Sequence, residues 1–191
     1  MLRIYTLLCG LLILGTYPLI GQTKFEKESR VKESEVPDAA KAFVSSLTEI
    51  KNLKWYKEIS TSGHSIEAKF KKDKAKYSVE FDTLGNLEDV EKTVDWEAIS
   101  KVQQDKVARR LDSVFSKFSI QKAQLQYKGS LEDLKNLIQT DQRSPKIELA
   151  FELIVKGTKK EKRQYEILFL ESGHIHSINE IIFKIADHLM F

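Results

Sequence analysis

The chain has 191 residues, with 31 Lys or Arg against 28 Asp or Glu and a formal net charge of +3. So small an excess gives no strong chain-wide field, so any basic site is local and no nucleic-acid partner is expected. One cysteine leaves no pair for an intrachain disulfide and no thiolate cage for a metal.

The chain opens with Arg3, an apolar run over residues 4–14, then Gly15, Pro18 and Gly21. This order reads as a signal peptide over 1–21, cleaved near Gly21. The run is short for a membrane span, so no stable span is expected after cleavage, and Cys9 leaves with the leader. The expected location is periplasmic or secreted. Residues 22–35 (QTKFEKESRVKESE) mix dense charge with one aromatic, which predicts a flexible tether.

Pro37 suits a first helical turn, and Ala40, Phe43, Val44 and Leu47 follow at helical spacing. Ile66, Ala68 and Phe70, then Tyr77, Val79 and Phe81, alternate with polar neighbours as strands with one wet face. Residues 82–86 read as a turn in which Gly85 supplies a positive φ, and a further strand starts at Leu87. A second helix is expected from the stripe Val107, Leu111, Val114, Phe115 and Phe118. Ser130 and Asp133 suggest a capped, inserted helix bearing Leu131, Leu134 and Ile138. Alternation returns from Ile147 to Val155 and from Tyr165 to Phe169, before a turn at Gly173 and a strand from Ile175. Past Asn179 the spacing of Ile181, Ile182, Ile185 and Leu189 leans helical.

These elements repeat. Ala40, Phe43, Val44 and Leu47 match Leu111, Val114, Phe115 and Phe118 at one constant spacing, which also relates Tyr56 to Tyr127. Tyr77, Val79, Phe81, Gly85, Leu87 and Val90 match Tyr165, Ile167, Phe169, Gly173, Ile175 and Ile178 at a second, longer spacing. Such correspondence predicts an α+β chain of two tandem helix-plus-antiparallel-meander repeats. Repeat 1 covers 36–96, and repeat 2 covers 97–191 with the inserted helix near 130–140.

The pattern F-D-x-x-G-x-L-x-x-V, carried by Phe81, Asp82, Gly85, Leu87 and Val90, resembles the PepSY-like and beta-lactamase-inhibitor-like exported proteins of Bacteroidetes. Leu170 and Glu171 depart from it in the second copy. The resemblance implies helices packed on one sheet face, and a noncatalytic binding or inhibitory module of the cell envelope.

Catalytic signatures are missing: the chain has no G-x-S-x-G elbow, H-E-x-x-H helix or phosphate-binding glycine loop, so no enzyme and no cofactor are expected. Trp55, with Tyr56 and Tyr127, is the candidate anchor for an envelope protein such as a peptidase or hydrolase, since Trp55 aligns with the polar Gln126. The alternative is a sensor or carrier for an anionic ligand or metal ion. Two lysine-rich hairpin tips, Lys71, Lys72 and Lys74 and then Lys159, Lys160, Lys162 and Arg163, are the candidate anionic-surface residues, although charged tips also serve to keep hairpins from aggregating. His174 and His176 could project from one strand face, but no third ligand lies nearby, and no metal site is assigned.

Overall fold

The computed structural model describes residues 20–24, 26–60 and 63–181. Ten strands form one sheet: β1 (Ile20–Lys24), β2 (Glu26–Val31), β3 (Lys51–Ser60), β4 (Gly63–Lys72), β5 (Ala75–Asp82), β6 (Leu87–Val94), β7 (Lys117–Lys128), β8 (Glu148–Thr158), β9 (Lys162–Leu170) and β10 (Ile175–Ile181). Their order across the sheet is β1-β10-β9-β8-β7-β6-β5-β4-β3-β2. All neighbours are antiparallel except β1 and β10. Among the described residues three α-helices interrupt the strands: α1 (Asp38–Ser45), α2 (Lys101–Val114) and α3 (Leu131–Thr140).

This corrects the expected α+β arrangement of two tandem helix-plus-meander repeats. The chain is strand-dominated, with one mostly antiparallel open sheet and only short helices of 8, 14 and 10 residues. Strand edges explain the merger. A meander ending at β6 would leave a row of unpaired N–H and C=O groups. The ladder from Val90↔Tyr127 to Val94↔Ala123 satisfies them and joins the two halves. Nor does any one helix span such a sheet. Ten strands at about 4.8 Å spacing span about 43 Å, whereas the 14 residues of α2 reach only about 21 Å.

Other expectations shift as well. Helix α2 ends at Val114, and Phe118 lies in β7 rather than on the helical stripe. Leu131 is exposed, and α3 buries Leu134, Leu137 and Ile138 in the cluster that holds Phe43, Trp55 and Phe81. Thr48 Oγ1 donates to Gln139 Oε1 at 2.8 Å, tying α3 to the end of α1. Within the segment read as a tether, β2 occupies Glu26–Val31 and pairs with β3. An edge strand is recruited by its backbone hydrogen bonds, which need no apolar side chains. Positions 1–19 of the expected leader, Cys9 among them, fall outside the described residues, whereas its last two residues, Ile20 and Gly21, lie in β1. Residues 179–181 belong to β10, and the rest of the C-terminal segment, 182–191, lies outside the described residues.

Two apolar clusters hold the structure. One joins Phe43, Val44 and Leu134 to Ile66, Val79, Phe81 and Val90; the other joins Val107, Leu111 and Phe115 to Phe151, Leu153, Ile167 and Phe169. Leu125 and Leu149 pack against both. Period-two alternation sends the remaining strand residues to the opposite face.

The sheet must also curl. β1 and β2 lie at its two edges, yet β1 ends at Lys24 and β2 begins at Glu26. A chain advances only about 3.8 Å per Cα step, so the edges approach each other although no ladder joins them. The burial of Ser65, Ser78, Asp89, Gln124 and Glu166, which alternate with core positions along their strands, identifies the face away from the two apolar clusters as the concave one.

Gly157, in β8, has no room for a side chain: a Cβ there would lie 2.5 Å from Cδ1 of buried Phe115, whose ring packs 4.9 Å from that of Tyr165. Gly157→Ala is expected to lower stability by about 1–3 kcal/mol through overpacking. In urea denaturation the midpoint falls while the slope stays constant.

Candidate functional site: a polar cleft in the concave face

Register builds the site. Tyr56, Glu67, Glu80 and Asp89 stand opposite one another across β3 to β6. The next row along the strands holds Lys54, Lys69, Ser78, Glu91 and Gln126, and the one after it Lys71, Lys76, Thr93, Gln124 and Glu152. Nearly every position is polar, yet curling shelters many of them. Asp89 is 3% exposed and Gln124 4%, and Ser65, Ser78 and Glu166 are also buried.

Burial obliges these groups to find partners. Ser78 Oγ donates to Glu67, whose other oxygen faces Lys69 Nζ at 3.0 Å. Lys69 also donates to Glu28 at 2.7 Å and sits 5.1 Å above the Tyr56 ring. Ser65 Oγ donates to Glu80 at 2.8 Å. The amides of Gln124 and Gln126 donate to Glu91 at 2.7 Å and to Asp89 Oδ2 at 3.1 Å. Asp89 Oδ1 has no partner among the described residues.

Titration follows from this crowding. Burial, reinforced by the neighbouring Glu80 carboxylate and only partly opposed by Lys128, pushes Asp89 up to about 8. Glu91 is raised by burial and by the charge of Asp89, against the pull of Lys122. Burial likewise raises Glu67, with Lys69 pulling the other way. For Lys69, burial works against the charge, but Glu67 and Glu28 outweigh it and the ammonium holds its proton more tightly than usual.

A cleft of about 780 Å³ opens at one end of this face. Its exposed rim is Asn52, Leu53, Lys54, Lys71, Lys76, Gln121 and Lys122, and its sheltered floor includes Tyr56, Glu67, Lys69, Ser78, Glu91, Thr93 and Gln124. Arg30 of β2 also lines it. The size suits a small-molecule or short-chain ligand.

The sequence-predicted residues scatter. Trp55 is not a surface anchor: it opposes Ala68 on the apolar face, is 5% exposed and packs 6.2 Å from Phe81. Tyr127 is buried too, its phenol pushed up to about 12 chiefly by burial. Only Tyr56 reaches the cleft, because neighbours along a strand face opposite ways. Among the lysines, Lys71 stands on the rim, while the Lys72 side chain is 4% exposed, 2.6 Å from Asp73 and 3.9 Å from Glu49. Lys74 occupies the turn with φ 68°. β4 and β8 run in the same direction, so the second hairpin, with Lys159, Lys160, Lys162 and Arg163, leaves from the same end of the sheet. There Lys159 caps the rings of Phe115 and Tyr165, and Arg163 faces Glu161 and Glu180. His174 and His176 are exposed, with His174 Nδ1 3.0 Å from Ser172 Oγ. Among the described residues no group of three or more His, Cys, Asp or Glu could hold a metal ion.

The carboxylates and amides of the floor were missed because wet-face residues of a strand normally meet solvent. The available signal was Gln124 and Gln126 in mid-strand, amides where a solvated face would carry lysine or glutamate. No family model matches the chain, and no curated protein or solved structure matches it.

Asp89 gives a pH test. Unfolded, it loses its proton near 3.8; folded, it keeps it up to about 8, so the fold binds the extra proton between these values. Its stabilising contribution is complete below the unfolded value and is lost as pH rises through about 8. Asp82 and Glu171, held low by hydrogen bonds from Asn86 and Arg143, act only in more acid solution. The melting temperature is expected to fall by several degrees from about pH 5 to about pH 9, and Asp89→Asn, which removes the ionisation, to flatten that slope.

Proposed function

We propose that the protein is a noncatalytic, exported binding module of the cell envelope, periplasmic or secreted, that holds an anionic ligand in the concave cleft. The observation that carries this reading is charge: Arg30, Lys54, Lys69, Lys71, Lys76 and Lys122 line the cleft against only Glu67 and Glu91. Lys69 is engaged by Glu28 and Glu67. The other five cations have no ion pair among the described residues. Lys71 stands directly opposite Lys76, and Lys54 opposite Lys69. Like charges placed across a ladder destabilise it, and a bound anion relieves that repulsion.

An envelope peptidase or hydrolase held by Trp55, Tyr56 and Tyr127 is less well supported, since two of these anchors are buried. The noncatalytic part of the proposal rests on the absence of catalytic motifs from the sequence. Export rests on the leader-like start, and the family reading on the PepSY-like pattern. In that pattern Phe81 is fully buried, Asp82 Oδ1 accepts from the backbone N–H of Leu84 and Asn86 at 2.8 Å, and Gly85 takes φ 89° against the start of α1.

Tripolyphosphate serves as a generic polyanion for calorimetric titration. The double variant Lys54→Glu with Lys122→Glu is expected to weaken binding at least about tenfold, whereas Lys159→Glu with Lys160→Glu changes it less than about twofold. Binding of the wild-type chain weakens as salt is added. Equal loss in both variants, or loss in neither, rejects the cleft.

A further inference from the structure

Glu91 is the cleft residue whose charge sits least easily with a bound anion. It stands in β6, opposite Ser78 of β5 and Gln126 of β7, on the floor of the cleft. Gln124 Nε2 donates to its Oε2 at 2.7 Å. Acidic neighbours come from three strands: Asp89 two residues away on β6, Glu80 on β5 and Glu67 on β4. Lys122 of β7 pulls the other way. Lys69 of β4 follows Ser78 in the same row, already engaged by Glu28 and Glu67, and Glu152 of β8 stands opposite Gln124. Lys71 and Lys76, with Lys54 of β3 and Arg30 of β2, complete the charged lining.

An anion drawn in by those cations meets an ionised Glu91 charge to charge. With its proton the same carboxyl becomes a donor, and a hydrogen bond to an ionised acceptor is stronger than one between neutral groups. Resting on the anion-binding reading, we infer that Glu91 is a ligand-binding residue of the cleft and works in its acid form, donating a hydrogen from Oε1 to an oxyanion, so that binding is linked to proton uptake. One proton moves from solvent to Glu91 as the anion enters and returns as it leaves, and no covalent bond of the ligand changes. A directional O–H suits an oxygen of a phosphate, sulfonate or carboxylate group. The free protein already leans towards the acid form, since burial and the charge of Asp89 raise Glu91. A bound anion adds a further negative charge beside the carboxyl and raises it again. Affinity is therefore greatest below the titration of the free carboxyl and falls as pH rises beyond it.

Naphthalenetrisulfonate is the probe, because its sulfonates, unlike tripolyphosphate, stay ionised at every pH used. Calorimetric titration of the full chain is expected to show affinity about tenfold weaker at about pH 9 than at about pH 6, with the lysines charged at both. Near pH 8, apparent enthalpies in Tris and in triethanolamine are expected to differ by the uptake of roughly 0.3–0.9 proton per anion. Glu91→Gln keeps the shape and stays neutral. Its affinity is expected to stay within about threefold over the same range, with almost no proton taken up. Asp89→Asn keeps the dependence and moves it to lower pH, because a negative neighbour of Glu91 is gone. Equal wild-type affinity at the two pH values, or a Glu91→Gln variant with the wild-type dependence, overturns the acid role of Glu91 and leaves the anion cleft standing. If that variant does not fold, the wild-type proton count decides alone, and a count of zero overturns the proposal. Failure of the trisulfonate while tripolyphosphate binds overturns it too, because an acid carboxyl serves any oxyanion. Failure of both at every pH overturns the cleft as well.

Discussion

One geometric constraint governs the molecule: the two edge strands of a ten-stranded sheet are separated by a single residue, Lys24 closing one and Glu26 opening the other. A flat sheet of that width cannot satisfy this connection. Curling can, and it turns an otherwise solvated face inward. Polar side chains that alternate with the apolar core positions are thereby drawn out of water. Ser65, Ser78, Asp89, Gln124 and Glu166 are buried without leaving the polar side of their strands.

The electrostatics of the site are a consequence. Carboxylates forced together on a concave surface lose hydration and meet one another's charge, so Asp89 and Glu91 rise while glutamine amides take up part of their hydrogen-bonding capacity. Towards the end from which the β4–β5 and β8–β9 hairpins leave, the same face changes sign, with Lys54, Lys71, Lys76 and Lys122 around the opening. An anion entering there meets cations at the rim and hydrogen-bonding groups below. The anion-binding proposal rests on that gradient more than on any single residue.

Local signals in the sequence were reliable where the physics is local. The alternation at Ile66–Ala68–Phe70 and Tyr77–Val79–Phe81 marks β4 and β5, Gly85 and Gly173 take φ of 89° and 87° at their turns, and Ser130 caps α3 through the backbone N–H of Asp133. Nonlocal consequences were not legible. Whether β6 would pair with β7 depends on an edge needing a partner, not on the residues of either strand. Trp55 read as a surface anchor because Gln126 aligned with it, whereas its face is set by the register with Ala68. Of the lysine-rich tip, Lys71 stands on the rim and Lys72 is buried, a difference of one residue that composition cannot express. Edge strand β2 lay hidden in a charged stretch because a ladder draws on the backbone alone.

Carbon-13 NMR titration of the Asp89 side-chain carboxyl tests the inward-turned polar face most directly. A midpoint near 8 is predicted for a carboxyl enclosed by the curled sheet beside Glu80. A midpoint of about 4, the ordinary value for a solvated aspartate, would mean that this face is open to water and that the sheet does not curl as described.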